Sequence, residues 1–312
     1  MPTIFGSMPP RGRDSMSVSP SVTVLVASLG RPEALADLLA ALAGQTRPPA
    51  RVLLSLTSPA DAPAQVPEGL PVEIFTGPAG SCAQRNAALD RIAPDCDLIF
   101  FCDDDYLPSR FALERATAFM ARHSEVSGAT GKLLADGIDG PGITVAEARA
   151  LIDADDAAPP RPPEIRRDHD GLYGCNMVFR AAAIGGVRFD ERLPLYGWQE
   201  DVDFGARVKA CGGGRLVTTH CFSGVHRGEK RGRSSGRRLG YSQVMNPAYL
   251  VNKGTMERAF ARRLILRNVA ANLWRSVRPE PWVDRRGRLH GNMLALVDLA
   301  WGRVTPERIV TL

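Results

Sequence analysis

The sequence predicts an α/β protein built on a doubly wound, mostly parallel sheet. Three observations predict it. Short, continuous apolar runs recur between polar flanks, as buried parallel strands do. Segments with apolar residues at i, i+3, i+4 and i+7 lie between them. The connections are a few residues long, as in strand–helix alternation. The 312 residues can bury a substantial core, as one large domain with additions or as two. The composition, 44% hydrophobic and 23% charged, is that of a soluble globular chain.

Residues 1–19 hold Pro9-Pro10 and Arg11-Gly12-Arg13 and show no periodicity, so a disordered tail is expected there. Val22–Ala27 is the first strand. Ser28-Leu-Gly-Arg31 turns into a helix opened by Pro32, with Leu35, Leu38, Leu39 and Leu42 as its stripe and Gly44 near its end. Arg51–Leu56 and Val72–Phe75 follow as strands. Gly77-Pro-Ala-Gly-Ser81 leads into a helix over Cys82–Ile92. The central strand is Leu98-Ile-Phe-Phe-Cys102, closed by Asp103, Asp104 and Asp105. Pro108 opens an amphipathic helix running to about Arg122. Regularity fails from Asp136 to Asp170, and such long insertions are more often functional or mobile than structural. Tyr173–Arg180 reads as a strand. A helix opens at Trp198-Gln-Glu-Asp201 and stops at Gly212-Gly-Gly. Arg215–Cys221 is a final strand, ending close to His226. Arg227–Gly240, with six Arg/Lys and four glycines, reads as a flexible cationic loop. Thr255–Val277 reads as a basic helix whose apolar face carries Phe260, Leu264, Val269, Leu273 and Trp274.

Charge divides the chain. The net charge is +5, but the segment from His226 onward carries +12 and the remainder −7. Such a basic segment suits phosphates, anionic lipid or an acidic partner. No aromatic–basic recognition pattern accompanies it, so no nucleic-acid partner is expected. A basic amphipathic helix bearing Trp suits peripheral contact with an anionic membrane surface, against the alternative of ordinary packing on the body. The six cysteines are scattered, with no CxxC or zinc spacing, and read as reduced thiols of a cytoplasmic protein. The first 20 residues lack a signal-peptide pattern, and no apolar run approaches the roughly 20 residues of a membrane span. The expected location is therefore the cytoplasm, with any membrane contact peripheral on the inner face.

Four constellations carry chemistry. Three adjacent carboxylates after a buried strand repel one another and need a positive partner; a divalent cation with oxygen ligands serves. Asp103 and Asp105 leave an extended chain on the same face, at a strand end where open α/β sheets bind ligands. The bland alternative is a solvated acidic turn. Gln84-Arg85-Asn86, at a helix start after a Gly/Ser turn, offers N–H groups and a guanidinium to a diphosphate; the alternative is a polar surface turn. In Gly197-Trp-Gln-Glu-Asp201, Trp198 sets an aromatic platform beside Glu200 and Asp201, and a carboxylate there can take a hydroxyl proton. Acids in a first helical turn are also favoured by the helix dipole alone. His226, at a strand end, is a candidate metal ligand or an ordinary structural histidine.

In this order the motifs resemble the family-2 glycosyltransferases, which have the GT-A fold. Val22–Gln45 is similar to the family's first strand and helix. Gln84-Arg85-Asn86 resembles its nucleotide segment, Asp103-Asp104-Asp105 its Asp-x-Asp, and Glu200-Asp201 its acceptor-side pair. The resemblance spans about residues 20–226. It implies a GT-A-like catalytic domain there, with a donor half over about 20–106 and an acceptor half over about 107–226. Residues 227–312 form a basic helical extension. It also implies roles. Ser28, Arg31, Arg85, Asp103 and Asp104 would bind the nucleotide-sugar. Asp105 and His226 would hold Mn²⁺ or Mg²⁺. Asp201 would be the catalytic base, with Trp198 and Glu200 shaping the acceptor site. Two departures stand out. Where the family has an acidic pair after the second strand, this chain reads Ser55-Leu-Thr-Ser-Pro-Ala-Asp61. The family's Gly shortly after Arg-Asn is Ala88.

The function so implied is inverting, metal-dependent transfer of a sugar from a nucleoside-diphosphate sugar to a hydroxyl. The acceptor would be saccharide or lipid-linked, in polysaccharide or glycolipid synthesis. A nucleotidyltransferase would need a glycine-rich triphosphate segment, for which Ser28-Leu-Gly-Arg31 is too short. An inactive carbohydrate-binding protein of the same fold is the third reading; the intact acids at 103, 105 and 201 argue against it.

Overall fold

Side-chain alternation along the first strands decides which face of the sheet each helix covers. The computed structural model describes residues 20–230 and 235–312, so the tail expected at 1–19 lies outside the described residues. In β1 (Val22–Ser28), Val22, Val24 and Val26 face one layer. There they meet Leu35, Leu38, Leu39 and Leu42 of α1 (Pro32–Ala43). Leu25 faces the other layer. β2 (Arg51–Leu56) and β3 (Val72–Thr76) extend the sheet, and α2 (Ser81–Leu89) covers the second face. β4 (Leu98–Asp103) splits in the same way: Leu98, Phe100 and Cys102 go to the first layer, Ile99 and Phe101 to the second. Apolar residues at every position of a short strand mean burial on both faces.

The run Tyr106–Pro108 is a short strand, β5, rather than the start of a helix. Tyr106 pairs with His226, so tertiary pairing overrides the helix-opening preference of Pro108, and α3 begins only at Ala112 (Ala112–Arg122). β6 (Val126–Asp136) precedes the stretch expected to be irregular, and that stretch, from Asp136 to Asp170, contains α4 (Val145–Ala157) and β7 (Ile165–Asp168). β8 (Asn176–Arg180) is shorter than the expected strand, leaving Tyr173 and Gly174 in the preceding turn. A four-residue helix α5 (Ala181–Ile184) follows. α6 (Glu200–Gly212) starts and stops as the sequence predicts. β9 runs past Cys221 to the end of Arg215–His226.

The strands form one sheet in the order β3-β2-β1-β4-β8-β6-β9-β5, with β7 on β9. β1–β2, β1–β4, β2–β3 and β6–β9 are parallel; β4–β8 and β6–β8, with the short β5 and β7, are antiparallel. The chain reverses its direction of growth at β1. The crevice between the ends of β1 and β4 is therefore the switch point at which such sheets bind ligands.

The C-terminal segment is helical: α7 (Gly236–Lys253), α8 (Arg258–Arg275) and α9 (Arg285–Ala300). The loop expected over Arg227–Gly240 is thus a helix from Gly236; residues 231–234 lie outside the described residues. α7 docks on the second face, where Tyr249 and Leu250 join Phe189 and Phe204. The expected apolar face of α8 is split. Leu264 is buried, while Leu273 and Trp274 point to solvent. Among the described residues no helix is long and apolar enough to cross a membrane. The six cysteines are free thiols.

Candidate active site

Asp103 is the last residue of β4, and Asp104 and Asp105 form the turn into β5. The chain is therefore not extended there, yet Asp103 and Asp105 still converge. Asp105 is 2% exposed, held by the Glu229 N–H on Oδ2 at 2.6 Å and through its carbonyl by the Arg227 N–H at 3.0 Å. His226 Nε2 lies 3.3 Å from Asp105 Oδ1 and 3.8 Å from Asp103 Oδ2. One ligand atom from each of Asp103, Asp105 and His226 falls within 4.8 Å of the others. Two carboxylate oxygens and one imidazole nitrogen are a donor set that could hold a divalent metal ion.

Two residues that no sequence motif marks complete this corner. Asp136, at the end of β6, meets His226 Nδ1 at 2.9 Å, and Tyr173 donates its hydroxyl to Asp136 at 2.9 Å. A carboxylate behind the imidazole fixes its orientation and leaves Nε2 as the pole facing Asp103 and Asp105. No local pattern marks Asp136. Its role follows from β6 pairing with β9, which sets Asp136 opposite His226.

Asp104 turns the other way. It accepts the Ser28 hydroxyl at 2.7 Å and the Arg31 guanidinium at 2.9 Å. Arg31 also lies 3.8 Å from Asp105. Asp61, in the stretch where the resemblance implies an acidic pair, accepts the Gly30 N–H at 2.9 Å and the Thr57 hydroxyl at 2.7 Å. It shapes the β1–α1 turn that carries Ser28 and Arg31.

The three residues Gln84-Arg85-Asn86 are buried, each toward a different partner. Gln84 donates to the carbonyls of Ser28 and Ser55, tying β1 to β2. Asn86 exchanges hydrogen bonds with the Phe189 backbone. Arg85 spans the site, 3.0 Å from Asp103 and 2.6 Å from Glu200. The first N–H of α2 does not stand open: Ser81 donates to the Leu195 carbonyl.

Leu195, Gly197 and Gln199 all have positive φ, winding the chain tightly before α6. This turns Glu200 inward to Arg85. Asp201 Oδ2 accepts the Gly174 N–H at 2.9 Å, and Oδ1 accepts the Val202 N–H at 2.8 Å. Gly174 permits the approach: a Cβ there would lie 3.3 Å from Asp201 Oδ2 and 3.4 Å from Arg85. Trp198 lines a narrow cleft with Tyr196, Arg238, Leu239 and Ser242, against α7.

Burial and charge set the protonation of these groups. Burial would raise Asp105, but the hydrogen bond and charge of His226, with Arg31, carry it well below the usual carboxylate range. Burial opposes the His226 charge, yet Asp105 and Asp136 raise it to about 10. Burial raises Asp104 to about 6 against the pull of Arg31. Burial, then the neighbouring Asp201, pushes Glu200 up to about 8 despite Arg85. Burial also raises Asp201, opposed by the Gly174 N–H and Arg85.

No known family model matches the sequence, and no curated protein matches it. Solved structures do match its fold. Residues 1–349 of S. aureus TarS superpose with a TM-score of 0.54 at 14% identity, covering 94% of this chain and 83% of that chain. The same TarS segment in complex with UDP-GlcNAc gives 0.54 at 16% identity, with coverages of 94% and 83%. Mannosyltransferase PcManGT from Pyrobaculum calidifontis, in complex with GDP-Man and Mn²⁺, gives 0.52 at 15% identity, covering 95% and 79%. At these identities the likeness is one of fold, and it bears out the GT-A-like α/β architecture.

Proposed function

We propose that the chain transfers a sugar from a nucleoside-diphosphate sugar to a hydroxyl acceptor, with inversion, and with a divalent cation at Asp103, Asp105 and His226. The observation that carries this is the convergence of those three ligand atoms at the switch-point crevice, with Arg85 and Asp201 beside them. PcManGT, of similar fold, was solved with GDP-Man and Mn²⁺, and TarS with UDP-GlcNAc, which supports a donor of this class.

A cation held by Asp103, Asp105 and His226 would supply electrostatic stabilisation for negative charge on a diphosphate leaving group. The protein's own residues do the rest. Ser28, Arg31 and Asp104 form the wall that meets the nucleotide, with Asp61 holding its backbone. Arg85 balances Asp103 and Glu200, keeping both in place within a crowded acidic site. Asp201, fixed by two backbone N–H groups, takes the proton of the attacking hydroxyl. Its burial raises its basicity toward the working pH, which favours proton abstraction. Trp198 and the exposed Tyr196 border the acceptor side with aromatic surface. The acceptor is saccharide or lipid-linked, as in polysaccharide or glycolipid synthesis.

A thermal-shift screen of sugar nucleotides with and without Mn²⁺ tests the reading, because a ligand bound only by the native state raises its stability. One donor class should raise the melting temperature in the presence of the cation and not without it. An unchanged melting temperature across UDP-, GDP-, ADP- and dTDP-sugars sinks the proposal. The anomeric configuration of the transfer product, read by NMR, decides inversion.

A further inference from the structure

Within their own ranges α8 and α9 carry no exposed carboxylate; the exposed Glu257 and Asp284 stand at their N-terminal ends. α8 has no acid in its 18 residues. The one acid of α9, Asp298, is 3% exposed and bonded to Tyr241 and Arg308. On the outward faces of these helices large apolar side chains stand in solvent. Leu266, Leu273, Trp274 and Val277 follow i, i+7, i+8 and i+11, one stripe along α8 and just past its end. Trp274 is 84% exposed; Trp301, at the end of α9, is 74% exposed, with Val297 one turn before it. Arg262, Arg263 and Arg267 are exposed on the same helix, and Arg278 follows it.

The two helices belong to one hairpin. Asn272 of α8 bonds Asn292 of α9 at 2.8 Å, and Arg285 reaches back to Asn272 at 3.1 Å. Glu280, in the connection, bridges Arg275 and Arg285. The inward side of α8 is already used, since Ala261 packs with the body and Leu264 is buried. The exposed stripe therefore has no part in holding the fold.

We propose that this Trp- and Arg-bearing face of the α8–α9 hairpin is a docking surface for an anionic lipid bilayer. Charge complementarity selects the occupant. Guanidinium groups pair with lipid phosphates. Indoles sit at the headgroup level with their apolar rings toward the acyl chains. Missing acids within the helices lessen the repulsion that an anionic surface would otherwise meet. A second copy of this chain fits worse, because a two-fold contact through this face would set arginines against arginines. The surface is independent of the transfer reaction proposed above, so either can fail alone.

The test is co-sedimentation of the full chain with vesicles of phosphatidylcholine alone or mixed with phosphatidylglycerol. Binding should appear with the anionic vesicles only and weaken as salt rises. In the wild-type protein, brominated acyl chains should quench the tryptophan fluorescence of the bound fraction. Charge reversal in R262E/R263E should lower the partition coefficient by about thirtyfold or more. Trp274→Ala with Trp301→Ala should also lower it, with the melting temperature unchanged. Absence of binding to anionic vesicles overturns the proposal. So does binding without quenching, or binding that R262E/R263E leaves intact. Light scattering that shows a dimer dissociated by Trp274→Ala assigns the face to a second copy and overturns it as well.

Discussion

Among the described residues, two clusters of buried or half-buried carboxylates are built differently. In one, Asp190 and Asp203 share Lys253, at 2.5 and 2.7 Å. Tyr249 and the Arg192 N–H complete Asp190, and Thr255 completes Asp203. Arg207 also lies 3.8 Å from Asp203, so two carboxylates meet two cations and the acceptors are saturated from within; the cluster bolts α7 to the body. In the other, Asp103, Asp104, Asp105, Asp136, Glu200 and Asp201 share Arg31, Arg85 and His226. Six carboxyls against three cations leave a negative surplus converging on one place. The difference separates a structural bolt from a ligand site: burial and acidity are common to both, while uncompensated charge aimed at a common point belongs to one.

Substitutions can break that contrast. The largest effect is expected from Asp201→Asn, which removes the proposed base. Turnover should fall by about 10²–10⁴-fold, while a donor-dependent thermal shift persists; substantial turnover would reject the assignment. Lys253→Met acts on the bolt instead. It leaves Asp203, whose side chain is 0% exposed, with the Thr255 hydroxyl and, as its nearest cation, Arg207 at 3.8 Å. Stability should drop by roughly 3–5 kcal/mol, read as a denaturant midpoint, with turnover at a permissive temperature nearly unchanged.

Asp105→Ala should act on ligand binding as well as on stability. His226, Arg31 and the Glu229 N–H favour the ionised carboxylate in the fold, so its loss should lower the ligand-free melting temperature at neutral pH. The cation-dependent donor shift, about 2.7 kcal/mol at a hundredfold excess over Kd, should disappear. A donor shift that survives with Mn²⁺ would contradict the metal assignment.

The smallest effect is in pH dependence, and its sign differs between the clusters. Glu200 is raised to about 8, chiefly by burial, so its contribution to stability is full below the unfolded carboxyl value of about 4.3 and is lost as pH rises through about 8. Asp190 is lowered: burial opposes this, but Lys253 and Tyr249 prevail. Its contribution is present above about 3.9 and is lost as pH falls. Melting curves of Glu200→Gln should therefore lose part of the decline between pH 5 and 8, with acid sensitivity unchanged. A parallel decline in the variant would show that Glu200 is not its source.

What could be read locally was read well where burial is two-sided. The Arg51–Leu56 strand matches residue for residue, because an apolar run buried on both faces announces itself without tertiary help. β6 did not announce itself. Its Gly128 and Gly131 weaken the strand signal, yet both are required. A Cβ at Gly128 would lie 2.6 Å from the Phe179 ring, and one at Gly131 would lie 2.4 Å from the Phe222 ring. α7 was hidden for a related reason, since glycine and an internal Pro247 argue against a helix. Gly240 is what lets α7 press on the Arg288 backbone of α9. The α4 helix did leave a signal, the Thr144–Glu147 capping box, which is a local motif lying inside a stretch otherwise poor in pattern.

The sequence by itself determined the strand–helix order through α2, the acids at the end of β4, and the excess of positive charge after His226. These are properties of neighbouring residues, and short-range sterics and hydrophobic spacing express them directly. Tertiary structure alone decided that Asp136 backs His226, that Arg85 joins Asp103 to Glu200, and that Asp190 and Asp203 are a bolt rather than a site. Each of those pairs is far apart along the chain. Only the pairing of β6 with β9 and the docking of α2, α6 and α7 bring such charges within hydrogen-bond reach, where their burial gives them a definite chemistry.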